Sequence, residues 1–151
     1  IAPGLRPQVD RLLQQVPKVA GLQLLDGQSH AALSACDLAL VASGTATLEA
    51  ALFKRPMVIA YHMHAFSWWL TRRKKLQPWV GLPNILCGQF VFPEFLQEQA
   101  QPEAMAQALQ DWLDQPQRVQ QLQVQMKELH IRLTRDSARS CADAIEQTLA
   151  G

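Results

Sequence analysis

Apolar residues follow two rhythms along this chain, and the change between them divides it. Over the first two-thirds, short continuous apolar runs alternate with helical spacing. Val9, Leu12, Leu13 and Val16 recur at i, i+3, i+4 and i+7, which predicts a helix over 6–16 with one core-facing side. Gly21 ends that unit, and Leu22-Gln23-Leu24-Leu25 is a short strand candidate. Asp26-Gly27 is a turn pair, and Ser29 caps a predicted helix over 30–36. Leu38-Ala39-Leu40-Val41-Ala42 is an unbroken apolar run, as a parallel strand buried on both faces requires. A helix over 45–54 follows, stopped by Pro56, and Met57-Val58-Ile59-Ala60-Tyr61 is the next strand. Strands and helices alternating through short connections predict an α/β fold, a Rossmann-like parallel sheet flanked by helices.

The last third is helical. Ala104, Met105, Ala108, Leu109, Trp112 and Leu113 share one face of a helix over 102–114. Val119, Leu122, Met126, Leu129 and Leu133 do the same over 117–133, and Ala138, Cys141, Ala142, Ile145 and Leu149 in a final helix. Core packing is the expected use of all three stripes.

Composition narrows the class. The 151 residues are 48% hydrophobic and 18% charged, which suits one domain with a buried core and excludes disorder. Fourteen Lys and Arg against thirteen Asp and Glu leave a net charge of +1, so a strongly basic nucleic-acid binder is excluded. No apolar run approaches the roughly 18 residues of a membrane span. The opening Ile1-Ala2-Pro3-Gly4 has neither an initiator Met nor a basic leader, so the chain reads as a fragment. Cys36, Cys87 and Cys141 have no metal-ligand spacing, and each sits among apolar or small residues as a free thiol does.

Chemistry is most concentrated in Leu40-Val41-Ala42-Ser43-Gly44-Thr45-Ala46-Thr47-Leu48-Glu49, where a strand runs through Ser-Gly-Thr directly into a helix. Unpaired N–H groups and the positive end of the macrodipole meet there, so an anion fits without Lys or Arg. Gly44 allows close backbone approach, and the Ser43 and Thr45 hydroxyls can add hydrogen bonds. With Thr45 as N-cap, Glu49 lies one place beyond the capping-box position, and its carboxylate suits a ribose diol. An ordinary helix cap also accounts for Ser-Gly-Thr in isolation. The turn gains weight from its place at the C-terminal end of a strand, where open α/β sheets bind ligands.

A second segment, Gly81-Leu82-Pro83-Asn84-Ile85-Leu86, presents Asn84 from what reads as a constrained loop, because Pro83 disfavours helix at Leu82. In Phe92-Pro93-Glu94-Phe95-Leu96-Gln97, Glu94 and Gln97 are three apart and would share a face of a short helix. An Asx turn and dipole compensation are the plainer readings of Asn84 and Glu94. A predicted helix over 65–76 sets Trp68, Arg72 and Lys75 opposite an apolar face of Phe66, Trp69, Leu70 and Leu76 that includes Arg73. Such a helix suits an anionic membrane surface, or is a solvated basic face. His62 and His64 have no acidic partner nearby, so no metal site is expected.

In order and spacing, Ala42 to Ala51, Lys54-Arg55-Pro56-Met57-Val58, Tyr61, Ser67-Trp68-Trp69-Leu70, Leu82-Pro83-Asn84-Ile85-Leu86 and Pro93-Glu94-Phe95-Leu96-Gln97 together resemble lipid-A-disaccharide synthase, over roughly residues 2–150. The resemblance implies an inverting, metal-independent glycosyltransferase of two-domain GT-B architecture. It would join UDP-2,3-diacylglucosamine to 2,3-diacylglucosamine 1-phosphate at the cytoplasmic face of the inner membrane, peripherally bound. Residues 1–151 would be part of the C-terminal nucleotide-sugar domain. The N-terminal acceptor domain, its candidate catalytic Asp and a Gly-Ser-Arg loop would be absent, leaving no catalytic residue in this chain. Gln89-Phe90 stands where the family pattern suggests a more charged loop.

By the same resemblance, Ser43, Gly44 and Thr45 would contact the diphosphate, Glu49 the ribose, and Asn84 the phosphate or sugar. Glu94 and Gln97 would face the donor sugar, and Trp68, Arg72, Arg73 and Lys75 the membrane. The partners implied are the UDP-sugar, the lipid substrate and an anionic membrane, with no cofactor, metal or nucleic acid. An exposed sheet edge could also support a homodimer or strand exchange. A sugar-nucleotide epimerase of the same architecture, and a non-catalytic lipid- or partner-binding domain, remain alternatives at this level.

Overall fold

The computed structural model describes residues 1–2, 4–42, 44–64, 68, 78–134 and 137–150. The predicted helix over 65–76 therefore lies outside the described residues except for Trp68, and so do Ser43, Arg72, Arg73 and Lys75. In chain order the elements are α1 (Arg6–Leu13), α2 (Ser29–Ala35), β1 (Ala39–Ala42), α3 (Thr45–Leu52), β2 (Met57–Tyr61), α4 (Leu82–Cys87) and β3 (Glu94–Leu96). A 3-10 turn (Gln97–Gln99), α5 (Pro102–Leu113), α6 (Pro116–Leu133) and α7 (Ser137–Ala150) complete the chain.

Among the described residues the sheet is parallel throughout, ordered β1-β2-β3. Ala39 to Ala42 align with Met57 to Ala60, and Ile59 to Tyr61 with Glu94 to Leu96. The central strand is the most deeply covered: Met57, Val58 and Ile59 have no exposed surface. Helix α3 crosses between β1 and β2, and its buried side chains are small, Thr47, Ala50 and Ala51. Trp112 of α5 completes the cover by donating its indole N–H to the Met57 carbonyl at 3.1 Å. Leu122, Met126 and Leu129 of α6 join the same core. The α/β, Rossmann-like sheet that ends in helices is therefore the observed architecture.

Helix α3 stops as the sequence requires, by a route the sequence does not announce. Lys54 takes the left-handed conformation (φ 57°), its N–H reaches the Ala51 carbonyl, and Arg55 N–H reaches Ala50. That is the Schellman pattern, with Lys where Gly is usual and Pro56 directly after. The Arg55 guanidinium then closes α2 by donating to the carbonyls of Leu33 and Ser34.

Several expectations need correction. Leu22–Leu25 forms no strand. The turn that follows is held by Gly27 N–H, which donates to the Ile1 carbonyl at 3.0 Å, and by Arg6, which pairs with Asp26 at 2.7 Å. No residue of α1 is buried, so its apolar side is not a core face here, and Leu12 and Val16 are exposed. The stripe of α7 is likewise open at Ile145 and Leu149. Strand β1 is not covered on both faces, since Leu40 is 52% exposed.

The segment read as a loop at 81–86 is helix α4, with Pro83 in the first turn, where its missing N–H has no intrahelical acceptor to serve. Gly88 closes it in the left-handed conformation (φ 64°). The short helix expected at Glu94–Gln97 is strand β3 followed by the 3-10 turn. Phe95 and Leu96 suit a strand, and Ile59 N–H fixes the register by bonding the Pro93 carbonyl at 2.9 Å.

Candidate functional site

The C-terminal ends of β1, β2 and β3 meet at one end of the sheet; the Gly44 turn and Gln97 stand there, and a polar cluster at the start of β3 lies further down the sheet. At the end of β1, Gly44 has φ 135° and ψ −162°, a region open essentially to glycine alone. A Cβ at Gly44 would meet nothing within 4 Å, so conformation rather than space demands the glycine. Helix α3 starts at the next residue. Gly44 is its N-cap, and no side chain caps it. Thr45, expected as the cap, is the first helical residue and exposed. Thr47 returns both its N–H (3.1 Å) and its hydroxyl (2.7 Å) to the Gly44 carbonyl, which holds the turn from behind.

Glu49 lies one turn further along α3, half-exposed, and meets an unforeseen partner. His30 Nε2 from α2 approaches its Oε2 at 3.4 Å, while the imidazole tilts against the Phe53 ring, 5.7 Å between centroids. Glu49 and Phe53 are i and i+4 on α3, so a single imidazole touches both. Sequence reading treats His30 as an ordinary helical residue. Its place at the start of a helix preceding a strand is the one signal that it stands at the ligand end.

The polar cluster joins α4 to β3. Asn84 is fully buried, and its carboxamide is committed at every available position shown. Oδ1 accepts from Val91 and Phe92 N–H, each at 2.9 Å, and Nδ2 donates to the Phe92 carbonyl and Glu94 Oε1, each at 2.8 Å. Glu94 also accepts from Val80 N–H at 2.9 Å and Gly81 N–H at 2.8 Å. Direct contact between the Asn84 carboxamide and a ligand would displace these bonds. Gly81 is required by space: a Cβ there would lie 2.5 Å from Ile59 Cδ1 and 2.9 Å from Glu94 Oε1. Gln97 is buried at the end of β3, and its carboxamide bonds the backbone of Met63 at 2.7 and 3.0 Å.

Trp68 is half-buried, and its N–H bonds the His64 carbonyl at 3.0 Å. No group of three His, Cys, Asp or Glu among the described residues is arranged to hold a metal. A cavity of about 460 Å³ between α5 and α6 is lined by Asp114, Gln115 and Arg118. Arg118 stacks 4.0 Å over Trp112, whose indole bonds the first residue of β2. That cavity is thus at the opposite end of the strands from the Gly44 turn. No helix among the described residues is long and apolar enough to cross a membrane.

A parallel sheet flanked by helices, with a glycine turn between β1 and α3 at its carboxyl end, is a Rossmann-like α/β arrangement. Comparison with known proteins makes the class specific. The family profile of lipid-A-disaccharide synthetase matches residues 1–149. The chain is 52% identical to the lipid-A-disaccharide synthase of Albidiferax ferrireducens, over 99% of this chain and 39% of that protein. It is 50% identical to that of Verminephrobacter eiseniae, over 99% and 40% respectively, and 46% identical to that of Saccharophagus degradans, over 95% and 37%. The chain belongs to the lipid-A-disaccharide synthetase family, and spans about two-fifths of the length of these relatives.

Proposed function

We propose that this chain supplies the UDP half-site of a glycosyltransferase that joins UDP-2,3-diacylglucosamine to 2,3-diacylglucosamine 1-phosphate, releasing UDP. The observation that carries this is the Gly44 turn: a glycine-only backbone leading into α3, whose N-cap carries no side-chain hydrogen bond among the described residues. The diphosphate sits against that start with Ser43, Gly44 and Thr45, and the Glu49 carboxylate takes the ribose hydroxyls. Asn84, Glu94 and Gln97 frame the neighbouring donor-sugar region. Charge developing on the departing UDP is stabilised by preorganised N–H groups and the macrodipole, without a divalent ion. A carboxylate from the part of the protein beyond this chain activates the acceptor hydroxyl.

The complete protein works peripherally at the cytoplasmic face of the inner membrane, with Trp68, Arg72, Arg73 and Lys75 on the lipid side. Membrane binding indifferent to Arg72 and Lys75 substitution would remove that part. Calorimetric titration of the chain with UDP, beside a Glu49→Ala variant, tests the half-site. Binding weakened about tenfold or more in the variant is expected, the scale of losing charge-assisted hydrogen bonds. Equal binding by the two proteins would exclude Glu49 from the ribose site.

A further inference from the structure

The exit of β2 is held by a side chain rather than by the next strand. Gln97 follows β3 with φ 53°, a left-handed conformation uncommon for any residue but glycine, and is only 6% exposed. Its Oε1 accepts from Met63 N–H at 2.7 Å and its Nε2 donates to the Met63 carbonyl at 3.0 Å, across 34 positions of sequence.

The parallel register explains what this pair replaces. Ile59 N–H bonds the Pro93 carbonyl, and the aligned residues end at Tyr61 and Leu96. Continued by two residues on each strand, the ladder would send Met63 N–H to the backbone carbonyl of Gln97 and the Met63 carbonyl to the N–H of Gln99. The chain instead turns into the 3-10 segment at Gln97, and one carboxamide serves both Met63 groups. The backbone strain falls where β3 stops, at the ligand end of the sheet, a common location for such strain.

We propose that Gln97 is a positioning residue for the transfer reaction: its carboxamide extends the β2–β3 ladder by one rung and so holds residues 62–64 in line. The alignment of Ala42 with Ala60 puts this exit beside the Gly44 turn, so the clamp sets one wall of the nucleotide-sugar site. The functional half of this proposal rests on the glycosyltransferase reading. The clamp itself does not.

Two variants test it. Gln97→Gly removes the carboxamide and relieves the left-handed backbone, so it folds. Hydrogen exchange at the Met63 amide of this chain should accelerate about tenfold or more. In the complete synthase, kcat should fall about tenfold, with the donor KM changed by less than about threefold. Gln97→Glu is an isostere whose protonated form again accepts from Met63 N–H and donates to the Met63 carbonyl. Its activity relative to the parent should therefore rise as pH is lowered from about 8 to about 6, burial having raised its protonation range.

Unchanged exchange at Met63 in Gln97→Gly would overturn the clamp. Lost protection with intact kcat would show that the clamp is merely structural, as would a pH-independent ratio for Gln97→Glu. If the complete parent protein transferred no sugar, the glycosyltransferase reading would fall, and Met63 exchange would still decide the clamp.

Discussion

Asn84 donates to Glu94 Oε1 at 2.8 Å, which binds the start of α4 to the start of β3 through two side chains ten residues apart. Around that bond, five backbone groups of residues 80, 81, 91 and 92 find their partners. The start of β3 and the first turn of α4 are thus fixed by one polar cluster.

Asn84→Ala should strand the N–H groups of Val91 and Phe92 and the Phe92 carbonyl in a buried setting. Each such group costs about 1–3 kcal/mol, so a loss of at least about 2 kcal/mol is expected in denaturant unfolding. A change within error would mean that water enters and replaces the amide.

Asn84→Asp makes a sharper probe, because it sets a second carboxylate against Glu94. Two close carboxylates share a proton rather than both ionise. The variant should be less stable than the parent at neutral pH and should regain ground as pH falls toward about 5. Melting temperatures across that range check it, and a gap that widened in acid would contradict the arrangement.

Gly81→Ala should be destabilising by about 1–3 kcal/mol through overpacking, since the new Cβ meets Ile59 and Glu94 at once. Gly44→Ala meets no atom and should act through backbone conformation instead. It should weaken UDP binding by more than its effect on melting accounts for, as paired calorimetry and thermal melts would reveal.

Lys54 offers the opposite sign. Glycine at the left-handed close of α3 relieves a strain of about 1–2 kcal/mol, part of which its greater unfolded-state freedom returns. Lys54→Gly should therefore melt a few degrees higher, despite losing the exposed 2.9 Å contact with His130 Nδ1. A lower melting temperature would show that the His130 contact matters more than the backbone.

Burial raises the Cys87 thiol above its ordinary value, and Arg132 pulls less strongly the other way. The folded chain thus holds this proton more tightly than the unfolded one. Its contribution to stability is complete below the unfolded value and is lost as pH rises through the folded one. Cys87→Ser should flatten the alkaline decline of stability in melts over a pH series. Alkylation should also reach the exposed Cys141 before Cys87.

The strands β1 and β2, helix α3 and helices α5 and α6 can be read from the sequence because each has its own periodicity or continuous run. Glu94–Leu96 cannot, since three residues carry no period, and its pairing depends on Ile59 far away in sequence. Leu22–Leu25 has the composition of a strand, yet four residues of largely apolar character alone do not place it in the sheet. The Gly44 turn was visible because strand, glycine and helix are contiguous. The Asn84–Glu94 and Gln97–Met63 bonds were hidden for the converse reason: each needs a fold to bring its partners together. His30 reaches Glu49 only once α2 and α3 are laid side by side.

The indole of Trp112 bonds a carbonyl 55 residues behind it in the chain. A ribosome adds about 5–20 residues per second, so β2 emerges roughly 3–11 s before the tryptophan that covers it does. Met57, Val58 and Ile59, which end with no exposed surface, must wait through that interval. Slowed translation across residues 60–112 would prolong the wait and favour aggregation of the nascent chain, while leaving the stability of the finished protein untouched.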